Sequence, residues 1–239
     1  MYRVLIVGAS SAIATATIAG FIAKYGATGV ELHCVSSQLL ALDAPVVAYL
    51  SDYSAPSVEA LAEHFVANGL IFDAVLFFNG RLHLKDTMPE KKVAQFDPAY
   101  LLSLTQSNVL PHMLWFAHLH KVLGKSQQSK VIVLSARIGS IGDNRSGGWY
   151  SYRMSKAMLN MACQCYAIEL ARTHPLAKMI LFHPGTTDTP LSRPFQKNVP
   201  ADKLFTPQFV AEKILSLVAR PFNGTQLEFI DWQEQPIAW

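Results

Sequence analysis

The sequence lacks the marks of export, of a membrane span and of a nucleic-acid surface. No apolar stretch among its 239 residues is long enough to cross a bilayer, and the opening Met1-Tyr-Arg-Val-Leu-Ile-Val-Gly8 carries no small-residue cleavage site. A cytoplasmic chain without a membrane partner is expected. The formal charge of +3 is spread without a basic cluster, which argues against nucleic acid and only slightly favours small anionic ligands. Cysteine is scarce. Cys34, Cys163 and Cys165 are odd in number, lie in apolar segments and have no metal-ligand spacing with histidine, which points to structural thiols rather than to a disulfide or a zinc site. There is no internal repeat, linker or low-complexity tract, and 51% of the residues are apolar, so one domain over residues 1–239 is expected.

What is present is a succession of short apolar runs: Arg3 to Val7, Val30 to Val35, Val46 to Leu50, Ala74 to Phe78, Lys130 to Leu134, Lys178 to Phe182 and Leu227 to Ile230. Their length and their Gly, Ser, Asp or Pro borders suit fully buried parallel strands. Helical periodicity fills the gaps over Ala12 to Tyr25, Ser57 to Asn68, Tyr100 to Val122, Ser151 to Thr173 and Pro207 to Val218. The alternation predicts an α/β, Rossmann-type doubly wound sheet, mainly parallel and seven-stranded, with helices on both faces. Ligands of such sheets sit beyond the carboxyl ends of the strands.

The first such end is Gly8-Ala-Ser-Ser-Ala-Ile-Ala14. Small residues there let the backbone approach a pyrophosphate at a helix N-terminus, with Gly8, Ser10, Ser11 and Ile13 as candidate contacts, although the same segment also reads as an ordinary strand-to-helix turn. Strand two ends at Val35-Ser-Ser-Gln38 without an acidic residue to repel a 2′-phosphate. Ser36 and Ser37 can donate hydrogen bonds to one, which leans the cofactor towards NADP with NAD still open, or they simply cap the strand. Asp52 and Tyr53 follow the third strand, where the carboxylate can meet an adenine amino group or serve as a turn residue. Asn79-Gly80 after the fourth strand is a turn signal.

Tyr152 and Lys156 stand four residues apart at the start of a helix, so both side chains leave one face about a turn apart. An ammonium near a phenol stabilises the phenolate and draws its titration towards neutral pH, where the phenol can exchange a proton with a substrate oxygen. Taken alone, the pair equally describes a buried aromatic beside a solvated lysine.

Together, the ordered motifs resemble the short-chain dehydrogenase/reductase family almost from end to end. Gly8 to Ala14 is similar to its cofactor turn, Asp52 to its adenine-contacting aspartate, and Asn79-Gly80 to the end of its Asn-Asn-Ala-Gly segment. Asn108 is similar to its helix asparagine, Tyr152 and Lys156 to its Tyr-x-x-x-Lys, and Pro184-Gly185-Thr-Thr187-Asp-Thr189 to its nicotinamide loop. Gly139-Ser-Ile-Gly-Asp-Asn, Gly147-Gly-Trp-Tyr-Ser-Tyr-Arg and Phe229-Ile-Asp-Trp resemble the branch of C-factor signalling proteins and Sniffer-type carbonyl reductases.

The resemblance implies an NAD(P)-dependent oxidoreductase acting on a small carbonyl or alcohol. In it Tyr152 exchanges the proton, Lys156 binds the nicotinamide ribose, Asn108 holds a relay water and a serine polarises the substrate oxygen. It also implies a homodimer or homotetramer. The alternative is a non-catalytic dinucleotide sensor or C-factor-like signalling protein.

Three departures stand out: Ala12 and Ala14 replace glycines of the turn, Phe77 and Phe78 replace the Asn pair, and Ala136 occupies the usual serine position. Ser135 and Ser140 are then the candidate hydroxyls, with a third outcome that neither acts. His112, His118 and His120 do not converge on one helix face, so no metal site is expected. His83 and His183 lie near the expected cleft. Met154, Met158 and Met161 suggest core or subunit packing, the helices around Tyr100 to Val122 and Ser151 to Thr173 are apolar on more than one face, and Leu191 to Leu204 reads as a lid over the substrate.

Overall fold

Strand and helix alternate in the computed structural model, which describes residues 1–40, 45–85, 87–125, 127–221 and 224–239. The chain runs β1 (Tyr2–Val7), α1 (Ala12–Tyr25), β2 (Val30–Ser36), β3 (Val47–Leu50), α2 (Ala55–Ala67), β4 (Ala74–Phe77), α3 (Pro98–Asn108) and α4 (Leu110–Leu119). It continues through β5 (Ser129–Leu134), α5 (Tyr150–Thr173), β6 (Ala177–His183), β7 (Thr186–Thr187), β8 (Leu204–Phe205), α6 (Pro207–Ala219) and β9 (Leu227–Asp231). Seven of the strands form one parallel sheet in the order β3-β2-β1-β4-β5-β6-β9, as the alternation predicts. The order reverses between β1 and β4, which opens a crevice at their carboxyl ends.

Side chains alternate across the strands and divide the core into two layers. Leu5 and Val7 of β1 face the layer that α2, α4 and α5 close with Phe65, Trp115, Phe116 and Tyr166. Val4 and Ile6 face the other layer, closed by Ile18 and Phe21 of α1 and Ile214 of α6. Phe77, where the resemblance leads one to expect asparagine, meets Phe116 edge-on at 5.7 Å, and the Phe78 N–H donates to the Val7 carbonyl at 2.8 Å. Apolar packing therefore does the bracing there. Ala14 is fully buried in the α1 layer, so its methyl group is accommodated.

Three expectations need correction, and one strand pairing adds to them. The run Tyr100 to Val122 is two helices that break at Val109, because Pro111 has no N–H to return to the carbonyl one turn back. β3 is not fully buried: it pairs only with β2, at the sheet edge, and leaves Val47 and Leu50 exposed. β7 pairs with β8, which ties the segment after Gly185 to the end of the expected lid. Cys34 and Cys163 are buried free thiols, whereas Cys165 is exposed.

Candidate active site

A cleft of about 820 Å³ opens where the sheet order reverses. It is bounded by the turn after β1, the carboxyl ends of β4, β5 and β6, the first turn of α5 and the segment after β7. Gly8 makes the first wall possible. Its φ is +84°, and a Cβ there would stand 2.8 Å from the Asn79 nitrogen, so only glycine lets the end of β1 pass against that of β4. The Gly8 N–H reaches the Val35 carbonyl at 3.0 Å and the Tyr53 hydroxyl at 3.1 Å, and Tyr53 donates back to Val35 at 3.2 Å. Ser11 caps α1 by accepting the Ala14 N–H at 3.1 Å, while the N–H groups of Ala12 and Ile13 have no acceptor among the described residues. That leaves a helix N-terminus able to receive an anion.

α5 brings Tyr152 and Lys156 to the same cleft. Lys156 Nζ donates to the Leu134 carbonyl at 3.0 Å, and burial pushes its ammonium down from 10.5 to about 8. Tyr152 is held well above the usual phenol range, first by burial and then by the nearby Tyr100 phenol. The sequence suggests the opposite direction, with the ammonium drawing the phenol towards neutral. Desolvation outweighs it, because Tyr152 sits in an apolar cluster with Leu82, Tyr100 and Leu104.

Asn108 is fully buried and does not line the cleft. Its Oδ1 accepts the Arg81 N–H at 2.6 Å, and its Nδ2 donates to the Arg81 carbonyl at 2.9 Å and to Ser155 Oγ at 3.0 Å. Ser155 in turn donates to the Tyr152 carbonyl at 2.8 Å. The asparagine thus pins the segment after β4 and the backbone of Tyr152 together.

The two candidate serines part company. Ser135 lines the cleft, with its hydroxyl donating to Asn160 Oδ1 at 2.5 Å, whereas Ser140 is outside the lining and accepts the Asp143 N–H at 3.0 Å as a turn cap.

The remaining candidates fall into two groups. Ser10, Ser11, Ile13, Asn79, Gly80, Pro184, Gly185, Thr187 and Thr189 all line the cleft. Gly8, Ser36, Ser37, Asp52 and Tyr53 do not. Ser36 is buried and accepts the Gln38 N–H, Ser37 is exposed, and Asp52 is an exposed turn residue whose carboxylate is held below its usual range by the Ser54 side chain and then by the Ser54 N–H that it accepts. Three buried side-chain atoms of cleft residues have no partner among the described residues: Asn79 Oδ1, His183 Nδ1 and Thr187 Oγ1. Burial, then Arg137, pushes His183 down to about 4, so its imidazole is neutral at physiological pH. His83 is outside the lining and meets Phe195 edge-on at 5.9 Å.

Several residues in and beside the cleft carried no individual role in the sequence, although Leu191 and Phe195 fall in the expected lid and Trp149 and Arg153 in the branch motif. Trp149 and Phe195, with ring centroids 4.8 Å apart, join Leu82 and Leu191 in an apolar wall beside Tyr152. Arg153 ties that side together by donating to the carbonyls of Gly147, Gly148 and Ile138. Glu90, 61 residues before Ser151, reaches the start of α5. Nothing local hinted at Glu90. Among the described residues no helix is long and apolar enough to cross a membrane.

No family model matches the chain. Over 146 residues it is 34% identical to the 1-hydroxy-2-glutathionyl-2-methyl-3-butene dehydrogenase of Rhodococcus sp. strain AD45, a match spanning 59% of this chain and 58% of that protein. The match therefore covers less than two thirds of that relative's length. A short-chain dehydrogenase/reductase from Burkholderia multivorans, solved with NADP bound, superimposes with a TM-score of 0.80 at 22% identity, over 100% of this chain and 99% of that one. The carbonyl reductase Sniffer of D. melanogaster does so with a TM-score of 0.77 at 16% identity, over 100% of both chains.

Proposed function

We propose that this chain, which has the fold of the short-chain dehydrogenases/reductases and resembles them in sequence, is a single-domain NAD(P)-dependent oxidoreductase over residues 1–239. Its substrate is a small carbonyl compound or the corresponding alcohol. The observation that carries this reading is the placing of Tyr152 and Lys156 in one cleft with the free N-terminus of α1 and three unpartnered polar atoms.

The residues present suit a dinucleotide. The N–H groups of Ala12 and Ile13 can take a phosphate, and Asn79 Oδ1, His183 Nδ1 and Thr187 Oγ1 can pair with hydroxyl and carboxamide groups. When bound, the nicotinamide supplies or accepts the hydride. Lys156 holds the adjoining ribose, with Gly80 beside its ammonium giving close access. Tyr152 gives its Oη proton to the carbonyl oxygen during reduction and takes it back from the alcohol in reverse. The apolar wall of Leu82, Trp149, Leu191 and Phe195 excludes water from that proton transfer. Asn108 keeps Tyr152 in place through Ser155. The end of β2 carries no carboxylate and presents the exposed Ser37, which leans the cofactor to NADP.

Of the two serines, Ser135 is the one able to polarise the substrate oxygen, by turning its proton away from Asn160. Ser135→Ala is expected to lower kcat by roughly tenfold to a hundredfold. Ser140→Ala is expected to leave kcat within about twofold, since its hydroxyl serves a turn. Steady-state kinetics of the two variants decide it, and equal losses would refute the assignment. Exposed Met154, Met158, Met161 and Ile168 on α5 and Leu102 and Met113 on α3 and α4 support a homo-oligomer, and the cytoplasm is the expected location.

A second reading, a dinucleotide-binding protein without turnover, is favoured by the engagement of both serine hydroxyls elsewhere. Titration with NADPH and NADH, followed by a panel of small aldehydes and ketones, separates the two. Binding without turnover supports the sensor, and failure to bind either cofactor refutes both.

A further inference from the structure

α5 starts in an unusual way. Its N-cap is Trp149, in the left-handed conformation at φ 52°, and this residue offers no side-chain cap. The first-turn N–H groups of a buried helix need acceptors. They come from a loop far away in sequence. The Glu90 carbonyl accepts the Trp149 N–H at 2.5 Å, and the Glu90 carboxyl accepts the Ser151 N–H at 3.3 and 3.2 Å as well as the Ser151 hydroxyl. Glu90 is 3% exposed, and among the described residues no cation pairs with it. A buried carboxyl group without a counter-cation is costly unless donors and a helix N-terminus compensate it, and here both do.

The loop that carries Glu90 is fixed at its other end as well. Arg81 is held by Asn108, and the Leu82 carbonyl accepts the Tyr100 hydroxyl. The turn that bears Tyr152 is therefore gripped between Asn108, acting through Ser155, and Glu90, acting through Ser151. We infer that Glu90 is a positioning residue for Tyr152, setting the phenol against the substrate oxygen by capping the first turn of α5. This rests on the oxidoreductase reading above.

The test compares Glu90→Ala, Glu90→Gln and Ser151→Ala with the wild-type protein, using NADPH and whichever aldehyde or ketone the wild type turns over. Glu90→Ala is expected to lower kcat at least about tenfold, because a small misplacement of a proton donor is enough for that. The NADPH Kd and the substrate KM should stay within about twofold. Gln keeps an acceptor oxygen for Ser151 and is expected to restore kcat to within about threefold of wild type. An unchanged kcat in Glu90→Ala overturns the inference, and so does a loss in kcat matched by equal losses in KM and Kd.

If Glu90→Ala does not fold, Ser151→Ala decides. It removes only the hydroxyl bond and should lower kcat several-fold at constant Kd, and wild-type kcat in that variant overturns the inference. A wild-type protein without turnover refutes the oxidoreductase reading alone. Amide exchange at Ser151 and Tyr152 then tests Glu90 by itself: about tenfold faster exchange in Glu90→Ala supports the cap, and unchanged exchange overturns it.

Discussion

Tyr152→Phe is expected to lower kcat for carbonyl reduction by about 10²- to 10⁴-fold while leaving the NADPH Kd within about twofold of wild type. The phenyl ring fills the same place between Leu82, Tyr100 and Leu104, so packing is preserved and only the proton donor is lost. The pH dependence should also be asymmetric. Burial and the Tyr100 phenol hold Tyr152 protonated well above its ordinary range, so reduction, which consumes the phenol proton, should be flat through neutral pH. Alcohol oxidation needs the phenolate and should rise with pH up to at least about 10. A variant that retains a tenth or more of wild-type kcat, or an oxidation rate that levels off near pH 7, would show that another group moves the proton.

Lys156→Met should separate stability from activity. In the folded chain, burial lowers the ammonium from 10.5 to about 8, so between those two values the unfolded chain binds a proton that the folded chain does not. Wild-type stability therefore rises with pH across that window and is lost as pH falls towards 8. The depression corresponds to about 3 kcal/mol at 1.36 kcal/mol per pKa unit. Relative to wild type, the Met variant should lose about that much of its advantage between pH 7 and 10.5 in denaturant melts. Taking the difference cancels Lys130, which burial also pushes down to about 8. Turnover should fall at least about a hundredfold at every pH, since the ribose anchor has gone. A stability difference that does not change with pH would mean that the ammonium is solvated in the folded protein.

The sequence carried the sheet because seven short apolar runs of strand length, separated by helical periods, leave few topologies open. It made Tyr152 and Lys156 candidates through their spacing and the motifs around them, and Thr187 through the resemblance alone, and the fold sets all three on one cleft. It did not carry the break at Val109: Pro111 stands inside an otherwise apolar helical pattern, which a helix kinked at a proline and two separate helices share equally. Nor did it carry the exposure of β3, since an edge strand and a central strand of four residues look alike until their neighbours are known. The proposed choice of Ser135 over Ser140 rests on the surroundings of two hydroxyls, and which partner each meets, Asn160 on α5 or Asp143 in the turn after Ser140, is set by the fold. Glu90 is the extreme case. Its effect on α5 spans 61 residues and passes through no motif.

The unpartnered Asn79 Oδ1, His183 Nδ1 and Thr187 Oγ1 have a consequence of their own. Each is a polar atom of the cleft with no partner among the described residues, so pairing it with a ligand lowers the energy of the folded chain. Whatever molecule satisfies all three lowers that energy in the folded form only, and the melting temperature rises with its concentration. The cleft thus makes the protein a thermometer for its own ligand. A melting-point survey of nicotinamide dinucleotides and their fragments should rank them by how many of these three atoms they reach, before any substrate is known.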